Sequence, residues 1–315
     1  MTVITGFLGS GKTTLIQRLL RTPEGANTAI VVNEFGEIGI DHALLRGSSD
    51  ATVLLGNGCV CCAVRSDLEE TLRTLFADRA RGAAPSFERV IVETSGLADP
   101  GPVLQTFASD RALAREFHLQ SLVTVIDAVA GSRNLRHAPE ARQQIALADR
   151  IVLTKSDLAD SAAIVQVTEQ MRSLSSVPPV IASNGVIAPS FLLDEALFDP
   201  SERGEPHDHA HAHSSGITSF TLIFETPISW PVFEQTMAVL TALRGADLLR
   251  VKGLVAVEGC SGPVVVHAIQ HIAHRPIELE GWPDSDQRSR LVFITRNLAR
   301  EPVERLFAAV GALIL

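Results

Sequence analysis

From Thr2 to Ala182 the chain alternates short apolar runs with helical stretches. Runs such as Ile30-Val31-Val32 and Val90-Ile91-Val92 are nearly continuous, as in strands buried on both faces of a parallel sheet. The pattern predicts strands at Thr2–Thr5, Ala29–Asn33, Thr52–Leu55, Arg89–Glu93, Leu122–Ile126, Arg150–Thr154 and Val180–Ala182. Helices are predicted at Lys12–Arg21, Ser66–Arg81, Val103–Phe107 and Ala162–Ser173. Such alternation, with right-handed crossovers, gives an α/β fold built on a doubly wound, mostly parallel sheet.

The pattern changes near Phe198. Asp199–Gly216 is rich in Pro, Ser, Gly, His and charge, has no apolar period, and reads as a linker or long loop. Beyond it, strands are predicted at Ser219–Phe224, Leu248–Glu258, Val264–Ile272 and Arg290–Thr295. Helices are predicted at Pro231–Arg244, opened by proline in its first turn, and at Glu301–Val310. The expectation is a first domain over 1–198, a linker over 199–216 and a smaller α+β domain over 217–315, with a mostly antiparallel sheet. A chain of 315 residues accommodates two domains.

Composition narrows the function classes. Hydrophobic residues make up 46% and charged residues 20%, as in an ordinary folded protein. The net charge of -9 argues against a general nucleic-acid binder, which would carry a basic face. Charge or glycine interrupts every apolar run too early for a membrane span, and the chain opens on a strand rather than a signal peptide. A cytoplasmic protein without membrane or nucleic-acid partners is expected. Of the four cysteines, Cys59, Cys61 and Cys62 are clustered, a poor disulfide framework but a good metal or redox cluster. Cys260 reads as a half-buried structural thiol.

Gly6-Phe7-Leu8-Gly9-Ser10-Gly11-Lys12-Thr13 fits G-x-x-x-x-G-K-[ST] between a strand and a helix. Its glycines let backbone N–H groups turn inward around phosphate oxygens, and the helix N-terminus adds positive partial charge. Lys12 would reach the β- and γ-phosphates, and the Thr13 hydroxyl would bind Mg²⁺. The first domain is therefore expected to be a P-loop NTPase. Val90-Ile91-Val92-Glu93-Thr94-Ser95-Gly96 places an acid at a strand end and a glycine three residues later. Glu93 would hold Mg²⁺ directly or through water, and the Gly96 N–H could sense a γ-phosphate.

Thr154-Lys155-Ser156-Asp157 resembles the guanine-recognition motif N-K-x-D with threonine first. Asp157 can accept from the guanine ring N–H and exocyclic amine, and Lys155 can lay its stem over the base. Loss of asparagine removes one contact, so GTP is preferred with less strictness. A helix cap using Ser156 or Asp157 is the plainer alternative.

In Gly58-Cys59-Val60-Cys61-Cys62, cysteines at i and i+2 share a side when the chain is extended, while Cys62 faces away. Convergence of all the thiolates needs a turn, which Gly56, Asn57 and Gly58 allow. Thiolates with an exchangeable further position suit transfer of Zn²⁺ better than a closed structural site. Asn33–Asp41 is rich in glycine and acids and follows a strand, where switch loops respond to the γ-phosphate. Glu37 or Asp41 could contact Mg²⁺, orient water, or supply an extra metal ligand. His207, His209, His211 and His213 alternate with small or acidic residues in the linker, and neutral imidazoles there suit Zn²⁺, Co²⁺ or Ni²⁺. A solvated loop with incidental affinity is the alternative. His267, His271 and His274 read as strand or loop residues.

These stretches together resemble the CobW-like family of P-loop GTPases: GFLGSGKTTL from Gly6, NEFGEIGID from Asn33, GCVCC from Gly58, ETSGLADPGP from Glu93 and TKSD from Thr154. LLRVKGLVAVEG from Leu248 is similar to that family's C-terminal domain. The resemblance implies a GTPase that delivers zinc, cobalt or a related ion to a client metalloprotein. By position it implies that Gly9, Ser10, Gly11, Lys12, Thr13 and Thr14 cradle phosphates and Mg²⁺. It implies Glu93 as the Walker B acid, Lys155 and Asp157 as readers of guanine, and Cys59, Cys61 and Cys62 as metal ligands. The catalytic set expected from this reading is Lys12, Glu37 and Glu93.

The expected mechanism couples Mg²⁺–GTP binding at the Glu34–Asp41 and Thr94–Pro100 loops to the site at Cys61 and Cys62. Turnover should be slow, because no water-positioning glutamine or cis arginine finger can be identified. A homodimer is among the expected partners; the rivals are a metal store or sensor in which GTP only sets oligomeric state, cobalt delivery for cobalamin synthesis, and a P-loop kinase for a small molecule.

Overall fold

The computed structural model describes residues 1–33, 54–55, 64–84, 86–101, 103, 119–175, 177–182, 184–194, 217–245, 247–269, 272–273, 276–283 and 285–314. By internal contacts the chain divides into two compact units, Met1–Ala196 and Leu197–Leu315.

The strands of the first unit are β1 (Thr2–Thr5), β2 (Thr28–Asn33), β3 (Leu54–Leu55), β4 (Arg89–Thr94), β5 (Ser121–Asp127), β6 (Arg150–Thr154) and β7 (Pro179–Ile181). They form a parallel sheet in the order β3-β2-β4-β1-β5-β6-β7. Every residue of β1 and β5 is buried, as the continuous apolar runs require of central strands.

Helices cover both faces. On one, Leu15, Ile16 and Leu19 of α1 (Lys12–Leu20) pack against Ile4, Ile30, Ile91, Val123 and Val125. On the other, Leu135 of α3 (Gly131–His137), Ile145 of α4 (Pro139–Leu147) and Val167 and Met171 of α5 (Ser161–Leu174) pack against Ile126, Ile151 and Leu153. Helix α2 (Val64–Ala80) buries Leu68, Leu72 and Leu75, spaced to form one stripe. A short α6 (Pro189–Leu193) follows β7.

Helices α3, α4 and α6 were not predicted. They are short, and α4 opens on Pro139 with only Ala138 between it and α3, so neither presents the multi-turn period that marks a helix in sequence. The Asp160 carboxylate caps α5 by accepting from Ala163 N at 2.7 Å. Of the predicted strand Thr52–Leu55 the structure describes only Leu54 and Leu55, and of the predicted helix Val103–Phe107 only Val103.

The second unit is an antiparallel sheet, β11-β10-β9-β13-β8, made of β8 (Ile217–Phe224), β9 (Leu248–Val255), β10 (Val264–Ile269), β11 (Ile272–Ala273) and β13 (Ser289–Arg296). Strand β12 (Ile277–Glu278) pairs with β10. Helices α7 (Trp230–Arg244) and α8 (Arg300–Ile314) share its core, where Val232, Phe233, Phe307 and Val310 meet Leu222, Val251, Leu291 and Phe293. The predicted strand Val264–Ile272 is instead a reversal: Ile272 pairs back onto Ile269, and Ala273 onto Ala268. Apolar alternation continues across the reversal, so periodicity alone reads the segment as one strand. His267 lies on β10 opposite Lys252, as a strand residue. Cys260 is half-buried against this core.

Candidate functional site

In an open α/β sheet, ligands gather at the carboxyl ends of the strands where the chain order reverses. Here β1 lies between β4 and β5, and the loops leaving β1, β4 and β6 carry the nucleotide-site residues singled out above.

The loop after β1 is shaped by its glycines. Gly6 has φ 144°, and a Cβ there would stand 2.1 Å from the Val125 carbonyl oxygen, so no other residue fits. Gly9 and Gly11 have φ 72° and 96°, the left-handed region that side chains resist. Gly11 is the N-cap of α1 and supplies no side-chain cap, which leaves the helix's first N–H groups facing the loop. That is the arrangement that holds an anion. Lys12 is 8% exposed and donates through Nζ to the carbonyls of Gly6 at 2.9 Å and Phe7 at 3.5 Å. Its ammonium therefore sits within the loop it would share with phosphate.

Thr13 Oγ1 donates to Glu93 Oε1 at 2.7 Å, across 80 residues of sequence. Glu93 is buried at the end of β4, level with Ile4 of β1 and Val32 of β2. A hydroxyl and a carboxylate side by side offer the hard oxygen donors that Mg²⁺ would take. Two residues past β4, Gly96 is backed against the P-loop: a Cβ there would be 2.7 Å from the Leu8 nitrogen. Thr14 is exposed on α1, where its methyl would be 3.3 Å from a Cβ on Gly185 in the loop after β7.

The loop after β6 joins the same site. Thr154 Oγ1 donates to the Ser10 carbonyl at 2.6 Å and to the Ile126 carbonyl at 3.1 Å. Lys155, at φ 56°, donates through Nζ to the Gly9 carbonyl at 2.8 Å and to Asp127 Oδ2 at 2.6 Å. Asp127 is the buried last residue of β5, and its Oδ1 also accepts from Val129 N at 2.7 Å and Ala130 N at 3.2 Å. Asp157 is exposed, and no described residue hydrogen-bonds its carboxylate.

Lys12, Thr13, Glu93, Gly96 and Lys155 thus converge around one loop. Asp127 was not singled out in the sequence. Its signal was present, because Val123-Thr124-Val125-Ile126-Asp127 is an apolar strand ending in an acid, the pattern that drew attention to Glu93. The expected metal residues Cys59, Cys61, Cys62, Glu37, Asp41, His207, His209, His211 and His213 lie outside the described residues. Among the described residues, no group of three or more His, Cys, Asp or Glu is placed to hold a metal ion, and no helix is long and apolar enough to cross a membrane.

Comparison with known proteins agrees with this arrangement. Residues 1–182 match the family described as CobW/HypB/UreG, nucleotide-binding domain, and residues 217–311 match the cobalamin synthesis protein cobW C-terminal domain. The zinc chaperone YjiA of Escherichia coli is 30% identical, over 98% of this chain and 98% of its own length. The zinc chaperone CobW of Sinorhizobium sp is 30% identical, over 99% of this chain and 96% of its own. The crystal structure of Zn(II)-bound YjiA GTPase from E. coli superposes with a TM-score of 0.76 at 26% identity, covering 98% of each chain. With both domains matched and relatives aligned from end to end, the chain belongs to the CobW family of P-loop GTPases.

Proposed function

We propose that this chain is a GTP-hydrolysing metallochaperone that couples Mg²⁺–GTP binding and hydrolysis to the binding and delivery of zinc to a client metalloprotein in the cytoplasm. The observation that carries the reading is the contact of Thr13 with Glu93 beside the buried Lys12, in a chain related over its length to proteins named zinc chaperones.

In this reading Gly9, Ser10, Gly11 and Thr14 line the phosphate cradle. Lys12 leaves the Gly6 carbonyl for the β- and γ-phosphates. Thr13 and Glu93 hold Mg²⁺, which supplies charge neutralisation at the phosphoryl oxygens. Lys155 and Asp157 read guanine, and the Gly96 N–H reads the γ-phosphate. Cys59, Cys61 and Cys62 carry the cargo ion with Glu37 as a further ligand, and His207, His209, His211 and His213 collect it. Cobalt and nickel suit the same donors, so metal identity is set by supply as well as by affinity.

Zinc affinity, measured by competition with a chromophoric chelator, tests the reading when the chain is loaded with GDP or with a non-hydrolysable GTP analogue. A difference between the two states, abolished in a Cys59→Ser, Cys61→Ser, Cys62→Ser variant, is expected. Equal zinc affinity in both states contradicts delivery and favours the storage reading. A phosphorylated small molecule in place of free phosphate as product would identify a kinase.

A further inference from the structure

Helix α4 grips the loop that leaves β4. Gln144 donates through Nε2 to the carbonyls of Gly96 at 3.2 Å and Ala98 at 3.0 Å. Its neighbour Gln143 donates through Nε2 to Asp99 Oδ2 at 2.7 Å, while Asp99 Oδ1 accepts from Gly101 N at 2.8 Å. The helix is itself tied to β5, because Thr124 Oγ1 donates to the Gln144 carbonyl at 2.7 Å. Gln144 is 1% exposed. Burying an amide is unfavourable unless its polar atoms find partners, so a glutamine here serves the loop rather than the core.

Gln144 also faces the P-loop. It lines a pocket of about 10 Å³ with Phe7, Ser10, Thr124 and Asn134, which is room for a single water. Gln144 Oε1 and Ser10 Oγ, on two of the lining residues, are both buried and have no hydrogen-bond partner among the described residues. The amide cannot simply be turned over, since its oxygen would then face the Gly96 and Ala98 carbonyls. A water accepting from Ser10 and donating to Gln144 Oε1 would satisfy both atoms.

The geometry points to Gln144, aided by Gln143, as a positioning residue that holds the Gly96 N–H ready for the γ-phosphate and joins that loop to P-loop Ser10 through a buried water. The inference rests on the nucleotide reading above, in which Gly96 meets the γ-phosphate. GDP lacks that phosphate, so the grip favours GTP over GDP.

The test measures the affinity of the full chain for a non-hydrolysable GTP analogue and for GDP, each with Mg²⁺, in the parent and in Gln144→Met and Gln143→Met. Methionine keeps length and approximate volume without the hydrogen bonds. Gln144→Met is expected to lower the ratio of GTP-analogue to GDP affinity about tenfold, with GDP binding changed less than about twofold. Gln143→Met should move the ratio in the same direction by a smaller factor. Equal losses for both nucleotides, or no change in either variant, overturn the inference. If Gln144→Met does not fold, the ratio in Gln143→Met decides by the same criterion. A parent chain that binds neither nucleotide overturns the underlying reading, and the inference with it, and the parent titration alone tells that failure apart.

Discussion

Thr154 Oγ1 and the Ser10 carbonyl are 2.6 Å apart, which ties the loop that would read the base to the loop that would hold the phosphates. The Thr154 hydroxyl has one proton, shared between Ser10 and Ile126. It therefore has none for the guanine O6, an acceptor that adenine replaces with an amine, whereas an asparagine amide has two donors.

Thr154→Asn should keep the tether and add a base contact. One such neutral hydrogen bond contributes about 1 kcal/mol, so GTP-over-ATP selectivity should rise by about fivefold. Thr154→Val keeps the shape but leaves the Ser10 carbonyl without its donor, and should weaken GTP and GDP alike. Competition titrations with fluorescent guanine and adenine nucleotides measure both effects. Unchanged selectivity in Thr154→Asn would show that the base lies elsewhere.

Glu93→Gln removes a charge while keeping an oxygen to accept from Thr13. Hydrogen bonds and contacts to charged groups contribute about 1.5–3 kcal/mol. The Mg²⁺ concentration for half-maximal GTP hydrolysis should therefore rise about tenfold or more, while metal-free GDP binding stays close to the parent value. A Mg²⁺ titration of phosphate release reads this directly, and an unshifted midpoint would remove Glu93 from the Mg²⁺ site.

Asp127 holds Lys155 at 2.6 Å, with the carboxylate buried and the lysine part-exposed, at the edge of the loop that would read the base. Asp127→Asn keeps the cap on Val129 and Ala130 but releases the ammonium. Affinity for GTP and GDP should fall together, by about three- to tenfold, as expected for a contact outside the γ-phosphate region. The ratio of parent to variant affinity should narrow at high salt, because the pair is only partly shielded from solvent. Nucleotide affinities at two ionic strengths check both points.

Much of this site was legible in the sequence, because phosphate binding depends on backbone geometry that only a few residues allow. Gly6, Gly9 and Gly11 are required by their φ angles or by close approach, and that requirement is what the motif records. The buried parallel strands were equally legible from their unbroken apolar runs. Gln143 and Gln144 left no signal, since a glutamine on a short helix reads as solvated surface until the fold brings the Gly96–Asp99 loop onto it. In sequence, Thr154 signals only the loss of a base contact. The structure adds that the hydroxyl has become a tether between two loops 144 residues apart. In the second unit, periodicity located the strands but could not register the reversal at Ile269 and Ile272.

The central claim is that nucleotide state and metal occupancy are coupled. Coupling between sites is reciprocal, so zinc must change GTP affinity by the same factor by which GTP changes zinc affinity. A nearly complete switch needs about 5.5 kcal/mol of differential affinity, and partial coupling of about 1–3 kcal/mol is still a change of roughly fivefold or more. The most direct measurement is the affinity for a non-hydrolysable GTP analogue with Mg²⁺, in the absence of zinc and at saturating zinc, for the parent and the Cys59→Ser, Cys61→Ser, Cys62→Ser variant. The account predicts a shift of about fivefold or more in the parent and none in the variant. Identical affinities in the parent with and without zinc would contradict it.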